Sequence, residues 1–143
     1  MAPKALTLQE LMPSEIRRLK YYFEGLSPTL FDRSGGSCHL WLGPTIDEGY
    51  GVRQVTLSLK NGKSKPKNML IHRLAYFSVH QDRYGFDHIP GFGISHLCGV
   101  KTCANPSHLI YEDMKTNVRR IPCHLEGQCN GHDGHRDCVF EDM

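Results

Sequence analysis

The chain is predicted to adopt a small α+β fold with an antiparallel hairpin, few helices and long loops, stabilised by bound zinc. Three observations carry this expectation. Cysteines and histidines crowd the C-terminal half: Cys98, Cys103 and His108 form a C-x4-C-x4-H pattern, and CHLEGQCNGHDGHRDC follows from Cys123 to Cys138. Thiolates and imidazoles at such spacing suit zinc, which draws four ligands into a tetrahedron. Period-two alternation between Tyr50 and Ile71, interrupted by Asn61-Gly62, signals a hairpin. Apolar residues at helical spacing near the N-terminus signal one amphipathic helix.

With 143 residues the chain is expected to form a single domain that buries roughly 68–70% of its unfolded surface. Apolar residues make up only 39%, and 14 glycines and 8 prolines favour loops, so stability must come partly from elsewhere. Zinc is the obvious supplement. The net charge of +2 gives little bulk attraction to polyanions, so any such site must arise from local clustering. Six cysteines would also suit a disulfide framework in a secreted protein. The N-terminal residues, however, carry charges throughout and lack the apolar core of a signal peptide. No segment approaches the roughly 20 apolar residues of a membrane span. The expectation is a soluble intracellular protein without a membrane partner, nuclear if its source is eukaryotic and otherwise cytoplasmic, with reduced thiols.

In chain order, Thr7 to Phe23 places Leu8, Leu11, Ile16, Leu19 and Phe23 on one helical face, with Ser14 and Glu15 opening a helix after Pro13. Its expected role is core packing or bracing, with direct nucleic-acid contact through Arg17, Arg18 and Lys20 as the alternative. A loop follows through Asp32 to Ser37. Residues 1–37 thus form a helix and loop, residues 38–120 a hairpin and core, and residues 121–143 a second zinc-binding tail. In the hairpin, a two-residue type I′ turn at Asn61-Gly62 would pair Lys60 with Lys63. Gln54, Thr56, Ser58, Lys60, Lys63, Lys65 and Lys67 would then share one face, opposite Val55, Leu57, Leu59, Pro66 and Leu70. Four lysines near one turn, with no acid between Arg53 and Asn68, point to nucleic acid, and a two-stranded ribbon fits the major groove.

His96 stands two residues before Cys98. The zinc frame would hold it without consuming it, leaving its imidazole for proton transfer near neutral pH. In the tail, Cys123, Cys129 and Cys138 need one imidazole, for which His132 and His135 compete.

SHLC at Ser95 to Cys98, CANPSHL at Cys103 to Leu109 and the downstream Asn117 resemble the core of the His-Me finger (ββα-metal) endonucleases of the HNH superfamily, most of all the His-Cys box homing endonucleases. CHLWLG at Cys38, GYG at Gly49 and HRLAY at His72 resemble small phage and bacterial HNH enzymes, in the same order. The resemblance implies a ββα-metal fold with two structural zincs and one catalytic Mg²⁺, replaceable by Mn²⁺, acting on double-stranded DNA. It implies Cys38 as the fourth ligand beside Cys98, Cys103 and His108, and it favours His132 over His135 in the second site. His96 would be the general base, and Asn117 would hold the catalytic ion. Many HNH enzymes carry an acid just before the histidine; here Ser95 stands there, as in the His-Cys box group. The cation opposing transition-state charge would come from Arg53, Lys65 or Arg73; Lys65 lies where related homing enzymes carry arginine. His72 would support the site by hydrogen bonding, and a homodimer would cut both strands. Two other readings are a zinc-stabilised DNA-binding module without catalysis, as in the similar MH1 domain of Smad proteins, and a zinc-stapled protein-interaction domain.

Overall fold

A computed structural model describes residues 18, 21–34, 36–80 and 91–140. Most of the expected Thr7 to Phe23 helix, including Arg17 and Lys20, lies outside the described residues. Residues 21–24 are helical, and Tyr22 and Phe23 pack against the core. Arg18 donates to the backbone carbonyl of Thr56 at 2.5 Å.

Strand β1 (Phe31–Asp32) pairs antiparallel with β2 (Leu40–Trp41). Trp41 is buried, and its indole N–H donates to the Pro44 carbonyl at 2.9 Å. Two glycines make room for this ring. A Cβ at Gly43 would lie 2.3 Å from the indole and one at Gly51 2.5 Å, closer than real Cβ contacts come. The WLG and GYG fragments are therefore two sides of one packing arrangement.

The hairpin forms, with a different turn. Strand β3 (Val52–Ser58) pairs antiparallel with β4 (Ser64–Leu70), matching Leu57 to Lys65 and Ser58 to Ser64. Leu59 N–H donates to the Lys63 carbonyl and Gly62 N–H to the Leu59 carbonyl, so Lys60, Asn61 and Gly62 make a three-residue connection. Only Gly62 has positive φ, at 83°, as the bulged position of such a loop requires. The Asn61 side chain instead accepts from Lys63 N–H at 3.0 Å. This one-residue change in register corrects the expected face. Lys63, Lys65 and Lys67 stand opposite Leu59, Leu57 and Val55 and share their side of the ribbon, while Gln54, Thr56 and Ser58 lie on the other with Asn68, Pro66 and Ser64. Val55, Leu57 and Met69 are buried on the first face, and Lys63 and Lys65 run past its edge into solvent.

Helix α1 (Ile71–Val79) begins directly from β4 and buries Ile71, His72, Leu74, Ala75, Tyr76 and Phe77. Strand β5 (Phe92–His96) pairs antiparallel with β6 (Leu109–Asp113), which runs straight into helix α2 (Met114–Glu126). The Asp113 side chain caps α2 by accepting from Thr116 N–H at 2.8 Å, and Gly127, in the left-handed region at φ 72°, ends it. The core joins Trp41, the apolar face of β3–β4, α1, Ile94 and Leu109. The result is a small α+β fold with three antiparallel strand pairs among the described residues, of which β5, β6 and α2 form a ββα unit.

Candidate metal centres and catalytic cleft

The connection between β5 and β6 is short of apolar side chains and rich in metal ligands. Gly99 N–H bonds the His96 carbonyl and Cys103 N–H the Val100 carbonyl, so the backbone doubles back and brings Cys98 and Cys103 together. His108 follows on a 3-10 turn (Pro106–His108) capped by the Asn105 side chain, whose amide also donates to the Ser37 carbonyl at 2.7 Å. That bond ties in the loop carrying Cys38. The ligand atoms of Cys38, Cys98, Cys103 and His108 all lie within 4.8 Å of one another, and all four residues are buried. His108 Nδ1 is 3.5 Å from both Cys38 Sγ and Cys103 Sγ. A tetrahedral zinc with Zn–S of about 2.3 Å and Zn–N of about 2.0 Å places sulfur and nitrogen roughly 3.5 Å apart, so the donor set fits the ion. With Nδ1 turned inward, His108 Nε2–H is left to donate to Ser37 Oγ at 3.1 Å, the outer bond that fixes a ligand imidazole. The Cys103 thiol is held down to about 5, first by its hydrogen bond with Cys98 and further by the Asn105 backbone, against the effect of burial; Cys98 is pushed up correspondingly.

A second group forms where the tail folds back on α2. Cys123 on the helix meets Cys129, His132 and Cys138, again with all ligand atoms within 4.8 Å. His132 Nε2 lies 3.6 Å from Cys123 Sγ and 3.4 Å from Cys138 Sγ. His135 is turned elsewhere, 3.7 Å from both Glu112 Oε1 and Asp113 Oδ2. The tail is joined to the first cluster through Val139 N–H, which donates to the Leu97 carbonyl. Among the described residues, these two Cys3His groups are the ones with zinc-like geometry.

Beside both clusters lies a cleft of about 450 Å³, lined on one side by Tyr50, Ser95, His96 and Lys101 and on the other by the α2 residues Asn117, Arg120, Ile121, His124 and Leu125. His96 closes β5. Its Nε2 is 3.1 Å from the Cys103 carbonyl, which can only accept, so Nε2 carries the proton and Nδ1 keeps its lone pair. Burial dominates its environment and holds the pKa down to about 4, against the opposing effect of the Cys103 bond. The imidazole is neutral at physiological pH. Its ring lies 4.6 Å from that of His72 and stacks on Tyr50 at 5.8 Å. His72 is itself buried, which keeps it well below the usual histidine range, and its Nδ1 has no hydrogen-bond partner among the described residues. It meets His96 through this ring contact, and the hydrogen bonding expected of it is not made by Nδ1.

The structure brings His96 and Asn117 to one cleft and leaves all three expected cations off its lining. Arg53 donates to Tyr22 Oη at 2.8 Å, Arg73 is half-buried on α1, and Lys65 is exposed on β4. The lysine at the cleft is Lys101, which donates to the Glu48 carbonyl at 2.8 Å and sits 5.4 Å from the Tyr50 ring centre. The sequence reading missed Tyr50, Lys101, Glu112 and Arg120. A helix drawn from Met114 to Glu126 would have placed Asn117, Arg120, Ile121 and His124 on one face by their i, i+3, i+4, i+7 spacing. His124 is partly buried, with its ring 5.2 Å from that of Phe140.

A ββα unit with a histidine on its strand, an asparagine on its helix and zinc-type clusters on either side defines a zinc-stabilised ββα-metal protein. The chain belongs to the family described as the zinc-binding loop region of homing endonuclease, which matches residues 41–139. Comparison with curated proteins and with solved structures gives no match. No described helix is long and apolar enough to cross a membrane.

Proposed function

We propose that the chain is a metal-dependent endonuclease that hydrolyses phosphodiester bonds of double-stranded DNA. The observation that carries this reading is the pairing, in one cleft, of a neutral His96 whose Nε2–H is committed to the Cys103 carbonyl with the Asn117 side chain on α2. His96 Nδ1 accepts a proton from a water molecule as that water attacks phosphorus. The Asn117 amide oxygen is a hard ligand that would hold a Mg²⁺ or Mn²⁺ ion together with phosphate oxygens and waters. When bound, that ion would offset the negative charge that builds on the phosphoryl group and the leaving 3′ oxygen. Lys101 supplies the protein's own positive charge at the cleft, in place of Arg53, Lys65 or Arg73.

The Cys3His groups are read as structural zinc sites: Cys38, Cys98, Cys103 and His108 in one, Cys123, Cys129, His132 and Cys138 in the other. The β3–β4 ribbon is the proposed DNA-contacting element. Gln54, Thr56, Ser58 and Asn68 offer uncharged donors and acceptors to base edges, and Lys60 at the turn, with Lys63, Lys65, Lys67 and Arg53 on the other face, would reach phosphates. A homodimer would let two clefts cut opposite strands.

The test is cleavage of supercoiled plasmid by zinc-loaded protein in Mg²⁺, with His96→Ala prepared identically. Cutting by wild type alone supports the reading, and the proportion of linear to nicked product reports on paired action. Salt-sensitive DNA binding by a folded protein that cuts neither the plasmid nor fragmented genomic DNA would favour the non-catalytic DNA-binding module instead.

A further inference from the structure

Asn117 has a defined set of neighbours. Its Nδ2 lies 2.8 Å from Ser95 Oγ, and Ser95 Oγ lies 2.5 Å from Glu112 Oε2. Glu112 is gripped by Arg120 through two parallel bonds of 2.7 Å, Nε to Oε2 and Nη2 to Oε1. Ser95, Glu112 and Arg120 are all buried, at 1%, 4% and 2% exposure. Arg120 also donates from Nη1 to the Arg136 carbonyl at 2.9 Å and stands 3.5 Å from Cys138 Sγ in the tail cluster.

Proton counting gives this chain of contacts one direction. A carboxylate held by a guanidinium fork is ionised and can only accept. Burial works against the Glu112 charge, but the bonds from Arg120 and Ser95 outweigh it and keep the carboxyl below its ordinary range. The single Ser95 proton must therefore point to Glu112, and Ser95 Oγ turns a lone pair towards Asn117. Whatever Asn117 atom faces it must be a donor. The two ends of an amide are otherwise nearly interchangeable in shape, so the Arg120–Glu112 pair decides at a distance which end of Asn117 is left for the cleft.

We infer that Ser95, Glu112 and Arg120 form a positioning relay that holds the Asn117 amide with its nitrogen inward and its oxygen towards the cleft, and that this relay is anchored on the C-terminal Cys3His group. The inference rests on the metal-holding role proposed for Asn117. Ser95 occupies the position where many similar enzymes place an acidic metal ligand, and here its hydroxyl instead orients the single amide ligand.

The test uses full-length, zinc-loaded wild type, Ser95→Ala and Ser95→Thr, with zinc content and thermal unfolding checked first. The first readout is hydrogen exchange of the Asn117 side-chain NH₂, identified as the ¹⁵N cross-peak missing in Asn117→Ala, without DNA or Mg²⁺. Slow exchange is expected in wild type and Ser95→Thr, and solvent-like exchange in Ser95→Ala. The second is the Mg²⁺ dependence of plasmid cleavage. Loss of an outer-sphere bond to a metal ligand typically weakens metal binding roughly ten- to hundredfold, so Ser95→Ala should need that much more Mg²⁺ while approaching the wild-type maximal rate. Wild-type exchange in Ser95→Ala, or an unchanged Mg²⁺ requirement, overturns the relay. A wild type that never cleaves removes the endonuclease reading, and the exchange experiment still judges the relay by itself.

Discussion

At the scale of single residues, two independent features suit His96 to the role of base proposed for it. Burial keeps its ring neutral, and the Cys103 carbonyl selects the tautomer. His96→Ala should lower the cleavage rate by about 10²- to 10⁴-fold, the usual contribution of a general base, with two zincs per chain and metal-free DNA affinity unchanged. Wild-type rates in that variant would remove His96 from the chemistry. Gly51 tests a different dependence. A methyl there meets the Trp41 indole at 2.5 Å, so Gly51→Ala should destabilise by about 1–3 kcal/mol, as overpacking a core does. Thermal unfolding of the zinc-loaded protein measures this, and an unchanged midpoint would mean that the indole yields easily.

At the scale of elements, the β3–β4 ribbon separates two kinds of side chain by face. Lysines and uncharged polar residues lie on opposite sides because the turn has three residues. Lys63→Ala and Lys65→Ala should each reduce the slope of log affinity against log salt by about 0.9, as one lost phosphate contact does. Gln54→Ala and Thr56→Ala should leave that slope alone and alter sequence preference instead. Titrations of one duplex at several salt concentrations distinguish the two. Slopes unaffected by the lysine changes would mean that DNA lies elsewhere. Helix α2 likewise has two duties, presenting Asn117 to the cleft while carrying Cys123 into the tail cluster.

At the scale of the whole molecule, the two Cys3His groups connect segments distant in the chain. The first joins the Cys38 loop to the β5–β6 connection, and the second joins α2 to the tail. Structural zinc supplies on the order of 10–16 kcal/mol per site, comparable to the whole stability of an ordinary domain. Cys103→Ser should therefore lose zinc and fold together, seen by metal analysis and circular dichroism. His132→Ala should retain about one zinc per chain and His135→Ala both, since His135 faces Glu112 and Asp113. Two zincs in His132→Ala would return His135 to the ligand set.

Several features were legible along the chain because they depend on local spacing. The C-x4-C-x4-H run, the crowding of ligands in the tail and the period-two strands each follow from neighbouring residues, and SHLC with Asn117 carried the family. The side of the hairpin that the lysines occupy was not legible, because moving the pairing by one residue reverses every face and Asn-Gly is compatible with turns of two or three residues. The cation at the cleft was equally hidden, since Lys101 reaches it only through the fold of the β5–β6 connection. The relay behind Asn117 was hidden most deeply. Ser95, Glu112 and Arg120 lie on β5, β6 and α2, and no spacing rule links them; only the packing of that helix against those strands brings a guanidinium, a carboxylate and a hydroxyl into one buried line. The sequence by itself determined which chemical groups were available and that zinc would gather them, because ligand type and spacing are local properties. Tertiary structure alone decided which atoms of those groups face the cleft, because donor and acceptor roles are assigned by partners distant in the chain.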